Sequence, residues 1–448
     1  MFKAEKEEAW YEIFMEDKKI GYKREELVPF EYGHLIKEET FLKLKAINVE
    51  QEIIIRSKVV TDKSFLVKDF YITIQSGAIS AKIRGEVKDK LIKVVLDAGN
   101  SKKDYQIQCE LPFYLGNTSY IYKNLMVQGG QEQAQFAFLN PFTMKIETMW
   151  SQMKGKEIID IRGVKKEATL FYLEYGGLSQ KVFLDERGRI LREEGLMGFR
   201  IERAEGPSAM SGITPSEDLA FVNSVEPKGK KISQPQRITG LKISSNIDGI
   251  PEDGRQKIQG KEISISVEPI PSSFMERSVP GDIGVYLRAS PGIEADHPRI
   301  LQVAQMIRGG EEDLVIIARR TLSFVYSKLE KRPVLSFPSA VATLETLVGD
   351  CTEHATLLTA LLRANRIPAR VVGGLTFQEG RFFYHAWTEA YLGQWVSMDP
   401  TLNQMPCDGT HIKLFYFDQL LDGSSGAIKF LSSQLGKLKI EILDFTYD

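Results

Sequence analysis

No stretch of this 448-residue chain approaches ~20 consecutive apolar residues, so the sequence offers no helix able to span a bilayer. Cysteine is scarce: Cys109, Cys351 and Cys407 lie far apart, too few for a disulfide framework, and each needs its own explanation. Charge of one sign is also missing. The net charge of -2 gives no electrostatic reason to bind nucleic acid or an anionic membrane. Glycine, proline and serine are not in excess, and no acidic cluster of the EF-hand kind appears, so calcium dependence is not indicated. The opening residues Met1–Glu8, MFKAEKEE, lack the apolar core of a signal peptide as written. Two expectations stay open: a cytoplasmic protein, or a sequence that begins after a removed leader or anchor.

What remains is a globular composition, 43% hydrophobic and 26% charged, in a chain too long for one core. The first two hundred residues read as strands. An apolar Tyr11–Met15 is followed by a turn at Glu16–Lys19 and a return at Ile20–Tyr22, a hairpin pattern. Gln51–Val60, Phe65–Ile74, Ile79–Val87 and Leu91–Leu96 repeat it, with turns at Ser76-Gly77 and Lys88-Asp89. Glu157–Ile161, Ala168–Tyr175 and the pair around Asp185–Gly188 continue it. This predicts a large antiparallel β domain over 1–205, curved as a half-barrel. Residues 206–236, rich in Pro, Ser, Lys and Gly, read as a linker or surface excursion, and 237–279 as a small β unit. From Pro280 the pattern becomes helix then strand, with Leu314, Ile317, Leu322, Val325 and Leu329 on one helical stripe. A second domain over 280–420 and a tail over 421–448 with a terminal strand at Leu438–Phe445 complete an α+β chain.

The chemistry concentrates in that second domain. Asp350 followed by Glu353 fits a capping box, and Ala355, Leu358, Leu361 and Leu362 form an apolar helical stripe. Cys351 then occupies the first helical position, where unpaired N–H groups and the helix dipole favour a thiolate and could also hold an oxyanion. Downstream, Ala369–Phe377, Arg381–Leu392 and Gln394–Met398 read as strands, the last two joined by a tight turn at Leu392-Gly393. Alternation puts Phe383, His385, Trp387, Glu389 and Tyr391 on one face. An antiparallel neighbour ending at Asp399-Pro400 brings the Asp399 carboxylate near the His385 ring. Nucleophile, base and orienting acid are then filled in the order Cys351, His385, Asp399.

Gly349-Asp350-Cys351 with its helix, Ile367-Pro368-Ala369-Arg370, Tyr384-His385-Ala386-Trp387 and Met398-Asp399-Pro400-Thr401 together resemble the bacterial transglutaminase-like superfamily. The resemblance covers about Pro280–Leu414. The N-terminal half, with Trp10-Tyr11 and Lys19–Tyr22, also resembles the β domain that precedes this catalytic domain in some bacterial members. The resemblance implies a papain-like α+β core and acyl transfer through a thioester: a protease or amidase if water is the acceptor, a transglutaminase if an amine is. It implies a peptide or protein substrate, no cofactor, and action outside the cytoplasm. The family usually has Gly before Ile-Pro-Ala-Arg where this chain has Arg366; Asn365, tolerant of a left-handed conformation, is expected to end the helix instead.

Other readings stand beside these. Cys109, between strand-like residues, reads as an inert buried thiol. Cys351-x-x-His354 and Cys407-x-x-x-His411 have the spacing of a zinc site, though His354 reads better as a helix-surface residue or one standing behind the nucleophile. Gln404, Asp408 and His411 follow a pattern seen in part of the family and are candidates to line the substrate cleft. Tyr384 and Trp387, flanking the base, are further cleft candidates, with core packing as the alternative. A catalytically inactive binding or scaffold protein is the remaining possibility.

Overall fold

The computed structural model describes residues 6–46, 48–76, 79–98, 101–115, 132–140, 145–175, 178–195, 198–275, 282–333, 339–417 and 437–448. Gly77 of the expected Ser76-Gly77 turn, Pro280 at the expected domain start, and 421–436 of the expected tail lie outside them. The chain divides into two compact units, the first holding Met1–Leu219 and the second beginning at Ala220.

The first unit is one fourteen-stranded antiparallel sheet built from two meanders. Strands run in succession from Glu7–Met15 to Ser101–Gln108 on one side, and from Gln133–Asn140 to Phe199–Ala204 on the other. They meet where the first strand pairs with the last, Trp10 opposite Ala204 and Met15 opposite Phe199. The sheet is not closed into a barrel, and Ser101–Gln108 and Gln133–Asn140 are its edges. Period-two burial explains the strands: Ile92, Val94 and Leu96 point inward between more exposed neighbours, as do Ala81 and Ile83 between Ser80, Lys82 and Arg84. One inner cluster gathers Tyr11, Phe136, Met149, Phe171, Leu173, Val182 and Ile190, with Phe65 and Leu66 packed on it. Tight turns join the strands, as at Asp185, whose Oδ1 accepts from the N–H groups of Arg187 and Arg189 before Gly188 takes φ 73°.

Residues 206–236 contain short helical turns at Gly206–Met210 and Leu219–Val222, and the boundary between the units falls inside this segment. The second unit contains a five-stranded sheet in the order Lys228–Gly229, Ile440–Tyr447, Ile238–Ser245, Glu262–Ser266, Gln256–Gln259. Its other part packs helices against a second sheet. Helix α1 (Pro298–Arg308) and helix α2 (Leu314–Lys328) pack with α3 (Ala340–Thr346) around α4 (Cys351–Ala364). The α2 stripe of Leu314, Ile317, Leu322 and Val325, with Leu329 just beyond, is buried throughout. Against α4 lies an antiparallel sheet in the order β3 (Trp395–Met398), β2 (Arg381–Tyr391), β1 (Ala369–Gln378), β4 (Ile412–Tyr416). Thr388 Oγ1 donates to the Ala355 carbonyl (3.1 Å) and Arg363 Nε to the Ala369 carbonyl (2.7 Å), fixing helix to sheet.

The end of α4 differs from the sequence expectation. Asn365 keeps φ -87°, and the left-handed residue is Arg366, φ 63°, at the position where the family usually has glycine. Arg366 N–H bonds the Arg363 carbonyl and Ile367 N–H the Leu362 carbonyl, the double closure of a Schellman motif. Ile367, fully buried, supplies its hydrophobic contact. That anchoring outweighs the steric cost of a left-handed arginine.

Candidate active site

Helix α4 begins where its cap dictates. Asp350 accepts from Thr352 N–H (2.8 Å), Glu353 reaches back to Asp350 N–H (3.1 Å), and both halves of the capping box are present. Cys351 is therefore the first helical residue, half-buried, its thiol at the positive end of the helix.

Strand β2 delivers the imidazole. His385 pairs across to Gly374 of β1, and a side chain there would lie 2.1 Å from the Ile412 carbonyl oxygen and 2.4 Å from the Trp387 ring. Only glycine lets the strands and the Trp387 ring close this tightly. The turn at Gly393, φ 86°, returns the chain along β3, with Thr388 opposite Met398, so that Asp399 emerges beside His385. His385 Nε2 lies 2.7 Å from Asp399 Oδ2, and Cys351 lies close enough to add to the proton affinity of the ring. With Nε2 committed to Asp399, Nδ1 is the ring nitrogen left for the thiol. Asp399 is wholly buried, and its Oδ1 accepts from Thr401 N–H (2.7 Å) and Leu402 N–H (3.0 Å).

These contacts set the protonation states. Burial works to lower the His385 pKa, but the charge and hydrogen bond of Asp399, with Cys351, outweigh it and push it up to about 10. Burial works to raise Asp399, yet His385 and His411 hold its carboxyl far below the ordinary carboxylate range.

The other sequence candidates fall into three positions. His411, Asp408 and Gln404 stand behind the dyad: His411 Nε2 is 3.1 Å from Asp399 Oδ2, His411 Nδ1 is 3.2 Å from Asp408 Oδ1, and Gln404 Nε2 donates to Asp408 Oδ2 (2.8 Å). Trp387, 1% exposed, packs with Val372, Cys407 and Tyr416, its ring edge-on to His411 at 5.2 Å between centroids. Tyr384 is half-buried, with its hydroxyl unpartnered among the described residues. Trp387, His411 and Asp408 are thus buried supports of the dyad rather than a solvent-facing wall.

His354 is fully buried, its Nδ1 2.7 Å from the Asp350 carbonyl, which corrects the helix-surface reading. Burial lowers its pKa. The four residues with zinc-like spacing, Cys351, His354, Cys407 and His411, do not converge among the described residues. Cys407 is enclosed, burial pushes its thiol far up, and both ring nitrogens of His411 face carboxylates. Cys109 is buried, its thiol donating to the Leu111 carbonyl (3.3 Å).

A residue that sequence reasoning missed is Arg255, ahead of Gln256–Gln259. Its buried guanidinium donates to the Cys407 carbonyl (3.1 Å), the Asp408 carbonyl and Ser397 Oγ (3.3 Å), and pairs with Glu268. It ties down the loop that carries Asp399 and Asp408. No local pattern marks it, because its partners at Ser397, Cys407 and Asp408 are more than a hundred residues away in the chain.

Comparison with known proteins adds a family. Residues 301–400 match the model of the transglutaminase-like superfamily. No curated protein matches the chain. Among solved structures, a "Putative Cysteine Protease" from Cytophaga hutchinsonii aligns at TM-score 0.32 and 18% identity, over 48% of this chain and 89% of its own. A beta-barrel-like protein of a domain of unknown function from Brucella abortus aligns at 0.34 and 10%, over 44% and 95%. The periplasmic domain of TgpA from Pseudomonas aeruginosa aligns at 0.24 and 19%, over 40% and 74%. At these scores they are distant neighbours, and the assignment rests on the matched segment and the motifs within it. Over residues 301–400 this chain is similar to the transglutaminase-like superfamily.

Proposed function

We propose that the second unit is a cysteine-dependent acyl-transfer enzyme that cleaves amide bonds of peptides or proteins, a protease or amidase. Cys351 Sγ attacks the amide carbonyl carbon, and the N–H groups at the start of α4 hold the developing oxyanion. His385 gives its proton to the leaving amine as the C–N bond breaks, leaving a thioester on Cys351. Neutral His385 then takes a proton from the attacking water, and the C–S bond breaks. Asp399 keeps the ring oriented throughout. The observation that carries this reading is the 2.7 Å bond from His385 Nε2 to Asp399 Oδ2, with Cys351, at the first position of a capped helix, beside the same ring.

The test is the pH dependence of iodoacetamide labelling at Cys351, followed by peptide mass spectrometry. The expected result is rapid labelling well below pH ~8.5, the range of an ordinary thiol, and slow labelling in His385→Ala. Identical, ordinary labelling in both proteins would sink the assignment.

A further inference from the structure

Asp399 does not serve His385 alone. The oxygen that His385 Nε2 approaches at 2.7 Å, Oδ2, is also 3.1 Å from His411 Nε2. His411 Nδ1 in turn lies 3.2 Å from Asp408 Oδ1. Each ring nitrogen of His411 thus faces a carboxylate oxygen. Ionised carboxylates only accept, so both nitrogens must carry hydrogen and the ring is an imidazolium. Its side chain is entirely enclosed. Asp408 is itself fixed by Gln404 Nε2 and by the N–H and hydroxyl of Thr410. Asp399 needs no help in orientation, since the N–H groups of Thr401 and Leu402 hold its other oxygen. What His411 adds is positive charge on the oxygen that His385 uses.

We propose that His411, held as an imidazolium between Asp399 and Asp408, is a positioning residue that draws off part of the Asp399 charge so that His385 stays neutral in the acyl-enzyme and can take the proton of water during deacylation. The proposal rests on the reading of the site given above. In acylation His385 must be charged, and Asp399 ensures it. In deacylation it must be neutral to accept the proton of water while the C–S bond breaks and the thiolate–imidazolium pair is restored. A buried carboxylate serving one imidazole alone would hold that proton too tightly. In the thioester Cys351 carries no charge, so the balance at His385 lies between Asp399 and His411.

The other groups facing this cluster do not replace that role. From α4 come Cys351 and His354, the latter kept toward its neutral form by burial and by the charge of Lys331. The Cys407 thiol is held protonated by burial and by Asp399. Arg255 donates to the backbone carbonyls of Cys407 and Asp408, and its charge is paired by Glu268. The pKa of His411 itself is raised to about 9, burial being overcome by Asp408 and Asp399.

The experiment uses the full chain acylated at Cys351 by p-nitrophenyl acetate, with loss of the acetyl group followed by peptide mass spectrometry across pH. Wild type, His411→Gln and Asp408→Asn are compared, with iodoacetamide labelling at about pH 6 as a second readout. In His411→Gln the deacylation midpoint is expected to rise by about one pH unit, with deacylation about tenfold slower near pH 7. Labelling in that variant is expected to stay within about threefold of wild type. Asp408→Asn removes one of the two carboxylates that keep His411 charged and moves the midpoint the same way by less. A merely structural role would lower labelling toward that of His385→Ala and leave the midpoint in place. That result, or an unmoved midpoint in both variants, overturns the proposal. If His411→Gln does not fold, Asp408→Asn decides by the same midpoint. Should wild type and His385→Ala label alike, the reading of the whole site fails and the proposal with it. An unmoved midpoint with that labelling contrast intact removes the role of His411 alone.

Discussion

The open sheet faces of the first unit and the surroundings of the candidate site in the second handle charge in opposite ways. In the first, many ion pairs lie in water on the faces and ends of the sheet: Lys156–Glu167 leaves its side chains 64% and 53% exposed. In the second, the pairs nearest the candidate site are sealed: Lys413–Glu389 at 2% and 3%, Arg370–Glu389 at 10% and 3%, Arg255–Glu268 at 6% and 11%. A solvated pair contributes little, because water serves each charge nearly as well as its partner does. A sealed pair need not stabilise relative to an apolar core, but breaking one side strands a buried charge. The difference teaches that charge on the open faces of the first unit keeps a long sheet wetted, whereas beside the candidate site it fixes geometry. The most severe way to break the comparison is Glu389→Ala, which removes the shared partner of Arg370 and Lys413. Arg370 lies between the rings of Trp395 and Tyr416, 3.9 Å from each centroid, and cannot swing out to water. A loss of about 3–5 kcal/mol is expected, read as collapse of hydrogen-exchange protection in α4 and β1–β3. Glu167→Ala should leave exchange in the first unit's strands unchanged; equal effects at both positions would erase the distinction.

A glycine in each unit sharpens it. At Gly374 an added Cβ meets the Ile412 carbonyl at 2.1 Å and the Trp387 ring at 2.4 Å, and the backbone atom cannot yield. Gly374→Ala is expected to cost about 1–3 kcal/mol and to lower Cys351 labelling, because Trp387 supports His385 and His411. At Gly85 the Cβ meets the outer edge of the Phe70 ring, at 2.0 Å, side-chain atoms rather than backbone. Gly85→Ala should cost less, and denaturant unfolding of each variant, read unit by unit through exchange, checks the order.

The pH response offers a graded contrast. In the second unit His385 and His411 are raised from 6.5 to about 10 and about 9, so their contribution is complete below pH ~6.5 and lost as pH climbs through 9 and 10. Asp408, lowered from 3.8 to about 2, contributes above pH ~3.8 and loses its contribution as pH falls through about 2. His354, lowered from its ordinary value by burial, loses its contribution as pH falls below about 6.5, so that unit should gain rather than lose stability as pH rises from about 4.5 to 6.5. In the first unit burial raises Glu25 from 4.5 to about 7, against the pull of Lys23, so folding favours its protonated form. Its contribution is lost as pH rises from about 4.5 through 7. Exchange protection around Glu7–Met15 and Lys18–Phe30 should fall over that range, and Glu25→Gln should flatten the response. A fall confined to the second unit would contradict the assignment of these groups.

How much of this was legible in the sequence follows from distance along the chain. The capping box at Asp350 and Glu353, the alternation around His385 and the turn at Gly393 are local signals, and they bring Cys351, His385 and Asp399 together from adjacent elements. Strands with regular burial, such as Leu91–Ala98, were readable for the same reason. Gly33–Ala46 was not: only Gly33 and Ile36 are buried, so alternation gives almost no signal and pairing with its neighbours makes the strand. Arg255 was invisible because the carbonyls of Cys407 and Asp408 that it holds lie in a loop more than a hundred residues away. His411 was picked out for its neighbourhood, but its place between two carboxylates depends on β4 pairing with β1 across Gly374, which no spacing encodes.

The smallest effect tests whether the second unit's geometry is set at the site or at a distance from it. Arg366 holds a left-handed conformation, which costs an L-residue about 1–2 kcal/mol. Glycine would remove that cost but add about 0.5–1 kcal/mol of chain entropy in the unfolded state. Arg366→Gly should thus stabilise by about 0.5–1 kcal/mol, a shift visible in the denaturant midpoint. Cys351 lies at the opposite end of α4, where its position depends on Asp350 and Glu353 rather than on the closing turn. Labelling of Cys351 should therefore be unchanged while stability rises. A change in labelling would mean that the helix transmits the geometry of its C-terminal turn along its whole length, and the site would then be set by the core as much as by the cap. A loss of stability would instead assign a net favourable contribution to the Arg366 side chain, larger than the backbone relief that glycine gives.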